Sequence, residues 1–198
     1  MVGNRFKKRI MKNIILEIEH CDNQLLQYPC VDSNDFFLID KKISLFSNDD
    51  LIDSSWFENK GAKVNKNPSD KESSFSNIGI VCPLQNSEDS EKGYYSVFDY
   101  YIKKIQLLIH KQKGTPGFKH LIIVLPSQSD ECGFSYDRMA YYALSGLVKG
   151  LAKIYGENSI FINGIILNDN NNIDSLRQVI LYLSSDNSNN TVGQLFKI

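Results

Sequence analysis

From residue 43 onward, short apolar runs alternate with longer stretches in which apolar side chains recur every three or four positions. That alternation predicts strand–helix–strand units, each crossover helix laying one apolar face on a sheet. ISLF (43–46), IGIVCPL (78–84), HLIIVLP (120–126) and SIFINGIIL (159–167) are mostly apolar runs, the middle two of the kind expected of strands covered on both faces. AKV (62–64) opens another strand, and GQLFKI (193–198) closes the series. The helical period appears at 94–112, where Val97, Tyr101, Ile105, Leu108 and Ile109 recur at helical spacing. It returns at 137–155, with Ala140, Ala143, Leu144, Leu147, Leu151 and Ile154 along one side, and at 173–186. DDLIDSSWFENKG (49–61) reads as a helix with Asp49 or Asp50 near its start and Gly61 at its end. The order predicts an α/β chain: a Rossmann-like, doubly wound parallel sheet of about six strands with right-handed crossovers and helices on both faces.

The first forty residues stand outside this alternation. NIILEIE (13–19) and DFFLID (35–40) alternate enough to form edge strands or a hairpin, so residues 1–40 are read as an N-terminal extension and 41–198 as the domain. RFKKRIMK (5–12) holds five basic residues and reads as a solvated tail. NKNPSDKESSFSN (65–77) is a polar loop marked by Pro68. No repeat and no Gly/Ser linker divides the chain.

At 198 residues, with 42% hydrophobic and 23% charged residues, the chain is long enough to bury one sizeable core. A formal net charge of -1 leaves no global field to gather nucleic acid or an anionic membrane, so neither is an expected partner. Acids and amides interrupt the apolar run after the basic tail, which predicts neither a signal peptide nor a membrane span and points to a cytoplasmic protein. Cys21, Cys30, Cys82 and Cys132 form no CxxC pair, and His20, His110 and His120 lie apart. No metal is expected, and the thiols read as reduced and structural.

Three segments in order carry a resemblance. ALSGLVKGLAKIYG (143–156) is similar to the long helix after the active site of short-chain dehydrogenases/reductases. FINGIIL (161–167) is similar to the family strand I-R-V-N-x-I, and VILYLSSDNSNNTVGQLFKI (179–198) resembles the family's last helix and strand with its T-G-Q turn. ENKGAKV (58–64) resembles the second strand, entered through Gly-Ala. The likeness runs from 43 to 198 and is strongest to the ketoacyl reductases of fatty-acid and polyketide synthesis. It implies their fold, truncated between the second strand and the equivalent of the fourth, because 65–77 is too short for the usual helix, strand and helix.

The working residues of that family are largely exchanged. Its T-G-x-x-x-G-x-G loop brings a dinucleotide's pyrophosphate against bare backbone, which glycine permits. Here SNDDLIDSS (47–55) has no glycine and three aspartates, read as a capped, solvated helix start. The reductase tyrosine hands over a proton, and a lysine four residues later lowers its pKa. Aligned on the family motif, those positions hold Asp137 and Tyr141. Tyr136, one step away, is turned by about 100° and has Ala140 as its fourth neighbour. Ser127 or Ser129 stands where the substrate-polarising serine would, Asp99 and Tyr100 near the relay asparagine, and CPL replaces N-A-G. Asn163 matches a structural strand asparagine.

The expectation is therefore a catalytically inactive reductase-like subunit that binds neither nicotinamide cofactor nor metal. Its partners would be a second copy or an active reductase-family subunit, with a carrier protein as a further candidate; the alternative is a module that binds a carrier protein or a ligand in the remodelled cleft. The expected contact is the pair of helices the family uses to dimerise, with Tyr95, Phe98, Tyr101, Tyr142 and Leu147 in an apolar stripe. Ser127, Asp137 and Tyr141 are the weak candidates for altered, cofactor-independent chemistry in the old cleft.

Overall fold

The computed structural model describes residues 37–47, 51–69, 76–83, 91–112, 119–125, 136–167 and 173–198, with the side chains of Glu91, Tyr136 and Asp137 left out. All of these lie in Val31–Ile198, the larger of two units into which the chain divides. NIILEIE lies outside the described residues.

Six strands form one sheet: β1 (Lys42–Phe46), β2 (Lys63–Lys66), β3 (Ile78–Val81), β4 (Lys119–Leu125), β5 (Ile160–Ile166) and β6 (Leu195–Lys197). Their order is β2-β1-β3-β4-β5-β6, and every neighbouring pair is parallel. The helices are α1 (Ser55–Glu58), α2 (Glu91–Gln112), α3 (Tyr136–Tyr155) and α4 (Ile173–Ser184). The doubly wound α/β architecture predicted from the apolar pattern is the one observed.

Every residue of β3, β4 and β5 is buried, as strands covered on both faces must be. Phe46, Val81, Leu121, Ile123, Leu125 and Ile162 face α2 and α3 in one core, with Tyr101, Ile105, Leu108, Leu144 and Val148 from those helices. By alternation Ile43, Leu45, Ile80, Ile122 and Val124 turn to the opposite face. α1 and α4, which touch each other, supply buried Phe57, Leu176, Val179, Ile180 and Leu183. Gly79 lets α2 sit close to the sheet, because a Cβ there would come within 2.7 Å of Leu108 Cδ1.

Two sequence expectations are corrected. The described end of DFFLID is no strand: residues 37–40 turn into β1, Asp40 takes a left-handed φ of 63°, and the backbone N–H of Leu38 donates to the Lys60 carbonyl at 2.9 Å. The helix expected over 49–61 is a single turn. Asp53 accepts from the Ser55 N–H at 2.9 Å and from its hydroxyl at 2.6 Å, so short polar side chains compete for the backbone before a longer helix can form. Buried Ile52 and Phe57 anchor the turn, and Gly61 leaves it at a φ of 91°.

The shortened link between β2 and β3 docks on the main domain. Pro68 is buried, and the Lys111 amine donates to the Ser69 carbonyl at 3.1 Å. No helix among the described residues is long and apolar enough to cross a membrane.

Candidate functional site

Parallel order places a topological switch between β1 and β3, because the chain leaves β1 for β2 on one side and returns to β3 on the other. Doubly wound sheets bind ligands in the crevice above such a switch. Its floor is Phe46 and Cys82: Phe46 is fully buried, Cys82 is 1% exposed, and the Cys82 N–H donates to the Phe46 carbonyl at 2.9 Å. The Lys104 ammonium of α2 stands 4.7 Å from the centre of the Phe46 ring and 6.0 Å from that of Tyr100, a cation held over aromatic faces.

The rim beside β1 is closed by Asn67. Its side chain accepts from the Ser47 N–H at 3.2 Å and donates to the Ser47 carbonyl at 2.8 Å, while its own N–H donates to the Leu45 carbonyl at 2.8 Å. Asn67 reaches this position at a φ of 47°, which asparagine tolerates better than most residues. At the start of α1, the Asp53 carboxylate holds the Ser55 N–H, and those hydrogen bonds lower its pKa. The first backbone donor after β1 and the first donor of α1 are thus both engaged by side chains of this chain.

Tyr141 is half-buried on α3 and packs against the α2/α3 core together with Tyr100 and Phe98, its ring edge-on to Tyr142 with centroids 5.1 Å apart. Asp137 lies in the first turn of α3, but its side chain is outside the described residues, as are Ser127 and Ser129. Asn163 is buried. It donates to the Thr191 carbonyl at 2.8 Å and accepts from the Gln194 N–H at 3.0 Å, pinning the turn that precedes β6. Among the described residues no group of three metal-binding side chains converges.

No protein-family model matches the chain, and no curated protein is similar to it. Solved structures are more informative. A short-chain dehydrogenase/reductase from Serratia marcescens superposes with a TM-score of 0.64, covering 81% of this chain and 96% of that one at 13% identity. The fold is that of the short-chain dehydrogenases/reductases. An enoyl-acyl carrier protein reductase from Bacillus cereus, solved with NADP+ and an indole naphthyridinone, superposes at 0.63 over 82% of this chain and 96% of its own, at 12% identity. A putative NAD(P)-dependent gluconate 5-dehydrogenase from Beutenbergia cavernae gives 0.61 over 82% and 96%, at 11% identity. Likeness at this level of identity is likeness of fold.

A dinucleotide in such a fold needs unengaged backbone donors and a helix N-terminus at the switch. The described residues do not fit that need. Asn67 takes the Ser47 donor, the Asp53 carboxylate takes the first donor of α1, and a one-turn helix supplies little dipole.

A second surface lies on the outer side of α2 and α3. Between the helices runs an open, mostly apolar groove of about 310 Å³, lined by Ile102, Ile105, Ile109, Leu147, Leu151 and Tyr155 together with the polar Gln106 and His110. Tyr95, Tyr142 and Ile154 are 61%, 55% and 63% exposed along the same pair of helices, and Phe98 and Leu147 are half-buried. Tyr101, expected in this stripe, is instead fully buried beneath it, where its hydroxyl donates to the Val124 carbonyl of β4. Its i, i+4 neighbours Val97 and Ile105 are buried too, so this is the core-facing side of α2.

On α3, Gly146 and Gly150 are exposed one turn apart, and a Cβ at either would meet nothing within 4 Å. The sequence reading passed over these glycines, although two of them four residues apart inside a helix were a visible signal.

Proposed function

We propose that the chain is a catalytically inactive, reductase-like subunit of fatty-acid or polyketide-type biosynthesis, and that it works by association through the outer face of α2 and α3. The observation that carries this reading is the pair Gly146 and Gly150. A mid-helix glycine costs about 1 kcal/mol relative to alanine. An added Cβ at either would meet nothing within 4 Å, so packing among the described residues gives no reason for them. They lie alongside the apolar groove, where bare backbone permits close approach of another helix. With α2 and α3 each about 30 Å long, the surface is large enough for a contact above about 1,000 Å².

Three features support the absence of reductase chemistry. Asp137 and Tyr141 stand where a tyrosine and lysine would act, Asn67 closes the rim at Ser47, and Asp53 occupies the start of α1. The biosynthetic setting rests on the ketoacyl-reductase resemblance of the sequence and on the fold shared with an enoyl-acyl carrier protein reductase.

Light scattering after size exclusion tests the association, on the chain alone and mixed with ketoreductases of its own genome. A dimer or mixed complex that Gly150→Arg dissolves, with helicity and melting temperature unchanged, is expected. A wild-type chain that stays monomeric at high micromolar concentration and retains no reductase overturns the proposal.

A further inference from the structure

A hydroxyl has one proton, and that decides the state of His120 in β4. The Ser188 hydroxyl stands 3.0 Å from both the Leu183 and the Ser185 carbonyl and 3.4 Å from His120 Nδ1. Carbonyls only accept, so the hydroxyl donates to one of them and the Nδ1–H group donates to the hydroxyl. A second proton would go to Nε2 and create an imidazolium in a site with 1% exposure. Among the described residues, the charged groups that act on the ring are Lys41, from the segment leading into β1, and Asp186, from the turn Asp186–Ser188 after α4. Phe161 of β5, Asn77, whose carbonyl accepts the His120 N–H at 2.9 Å, and Gln112 of α2, whose amide donates to the His120 carbonyl at 3.2 Å, are neutral. Burial and then Lys41 disfavour the charged ring, Asp186 and Asn189 favour it, and the balance lowers the pKa from 6.5 to about 4.

The turn that covers the ring has its own hydrogen bonds. Ser185, Ser188, Asn189 and Thr191 each donate a backbone N–H to the carbonyl three positions back, at 2.8 to 3.3 Å. The turn is tied to the sheet by side chains: Lys41 with Asp186 at 2.6 Å, and His120 with Ser188. Beyond it, Asn163 holds the Thr191 carbonyl and the Ile162 carbonyl accepts the Gly193 N–H, so the chain is fastened to β5 again before β6 begins. We propose that residues 185–190 form an acid-sensitive latch at the N-terminal edge of the sheet, opened by protonation of His120 while the six strands stay paired. Opening hydrates the imidazolium, and closure returns a neutral ring beneath Ser188. The open form binds the proton with the ordinary affinity of histidine and the closed form does not. The open fraction therefore rises as pH falls below 6.5 and levels off near 4.

Native-state hydrogen exchange on the full chain, with rates corrected for the intrinsic pH dependence, reads this opening. The Ser188 and Thr191 amides are expected to exchange faster than those of β4 and β5, with an opening constant that grows roughly tenfold per pH unit lost across that window. His120→Gln should remove the slope. Turn amides that exchange only together with those of β4 and β5, or a slope that persists in His120→Gln, overturn the latch. Asp186→Asn, at an exposed position, keeps the test decisive should His120→Gln fail to fold. Losing the tie to Lys41 should raise turn opening several-fold at neutral pH, and unchanged opening overturns the proposal.

Discussion

His120 shows how one residue couples burial to pH. It is the second residue of β4, 1% exposed, with its ring 5.6 Å from Phe161 and its Nδ1 3.4 Å from the Ser188 hydroxyl. Burial first, and then the positive Lys41, lowers its pKa from 6.5 to about 4, although Asp186, ion-paired with Lys41 at 2.6 Å, pulls the other way. A depressed histidine pKa means that the unfolded chain takes up the proton first. Stability of about 3 kcal/mol is then present above pH 6.5 and lost as pH falls toward 4. Urea unfolding across that window should show the slope, and His120→Gln should flatten it. Tyr101 makes a separate case at this scale. Tyr101→Phe strands the Val124 carbonyl and should cost about 1–2 kcal/mol in the same assay. Association should be untouched, because the side chain lies in the core. The helical spacing of 94–112 had placed Tyr101 on an apolar face, but spacing alone does not say which of two apolar sides meets the sheet.

Among the elements, α3 divides its work between two sides. Ala140, Leu144, Val148 and Ala152 bury its inner stripe, and Gly146 and Gly150 leave the outer one open. Gly146→Ala should therefore raise the melting temperature, gaining about 1 kcal/mol of helix propensity with no clash. A lower melting temperature would mean that the glycine is packed within the fold. α1 runs the opposite course from its sequence expectation. Residues 49–61 were read as a helix from Asp49 or Asp50 near the start and Gly61 at the end, but Asp53 binds Ser55 locally and one turn results, because hydrogen bonds between near neighbours outcompete a weak propensity. Strands β3 to β5 were legible because unbroken apolar runs leave no polar face to turn outward.

For the whole molecule, the decisive feature is the missing segment between β2 and β3. Eleven residues from Asn67 to Asn77 span a link that the resembled family fills with helix, strand and helix, and Lys111 and Pro68 fasten its beginning. With that segment absent and Ser47 engaged by Asn67, calorimetric titration with NADPH should give no micromolar binding. Replacing one residue of 48–50 with glycine should not rescue it. Micromolar affinity in the wild type would show that the crevice opens as in the reductases. The sequence by itself determined the parallel sheet and its element order, because hydrophobic period and motif spacing are local properties of the chain. Tertiary structure alone decided that Asn67 closes the switch-point rim, that Tyr101 belongs to the core, and that Gly146 and Gly150 face outward. Each of these depends on which distant segment a side chain meets, and that is set only when the sheet and its helices pack together.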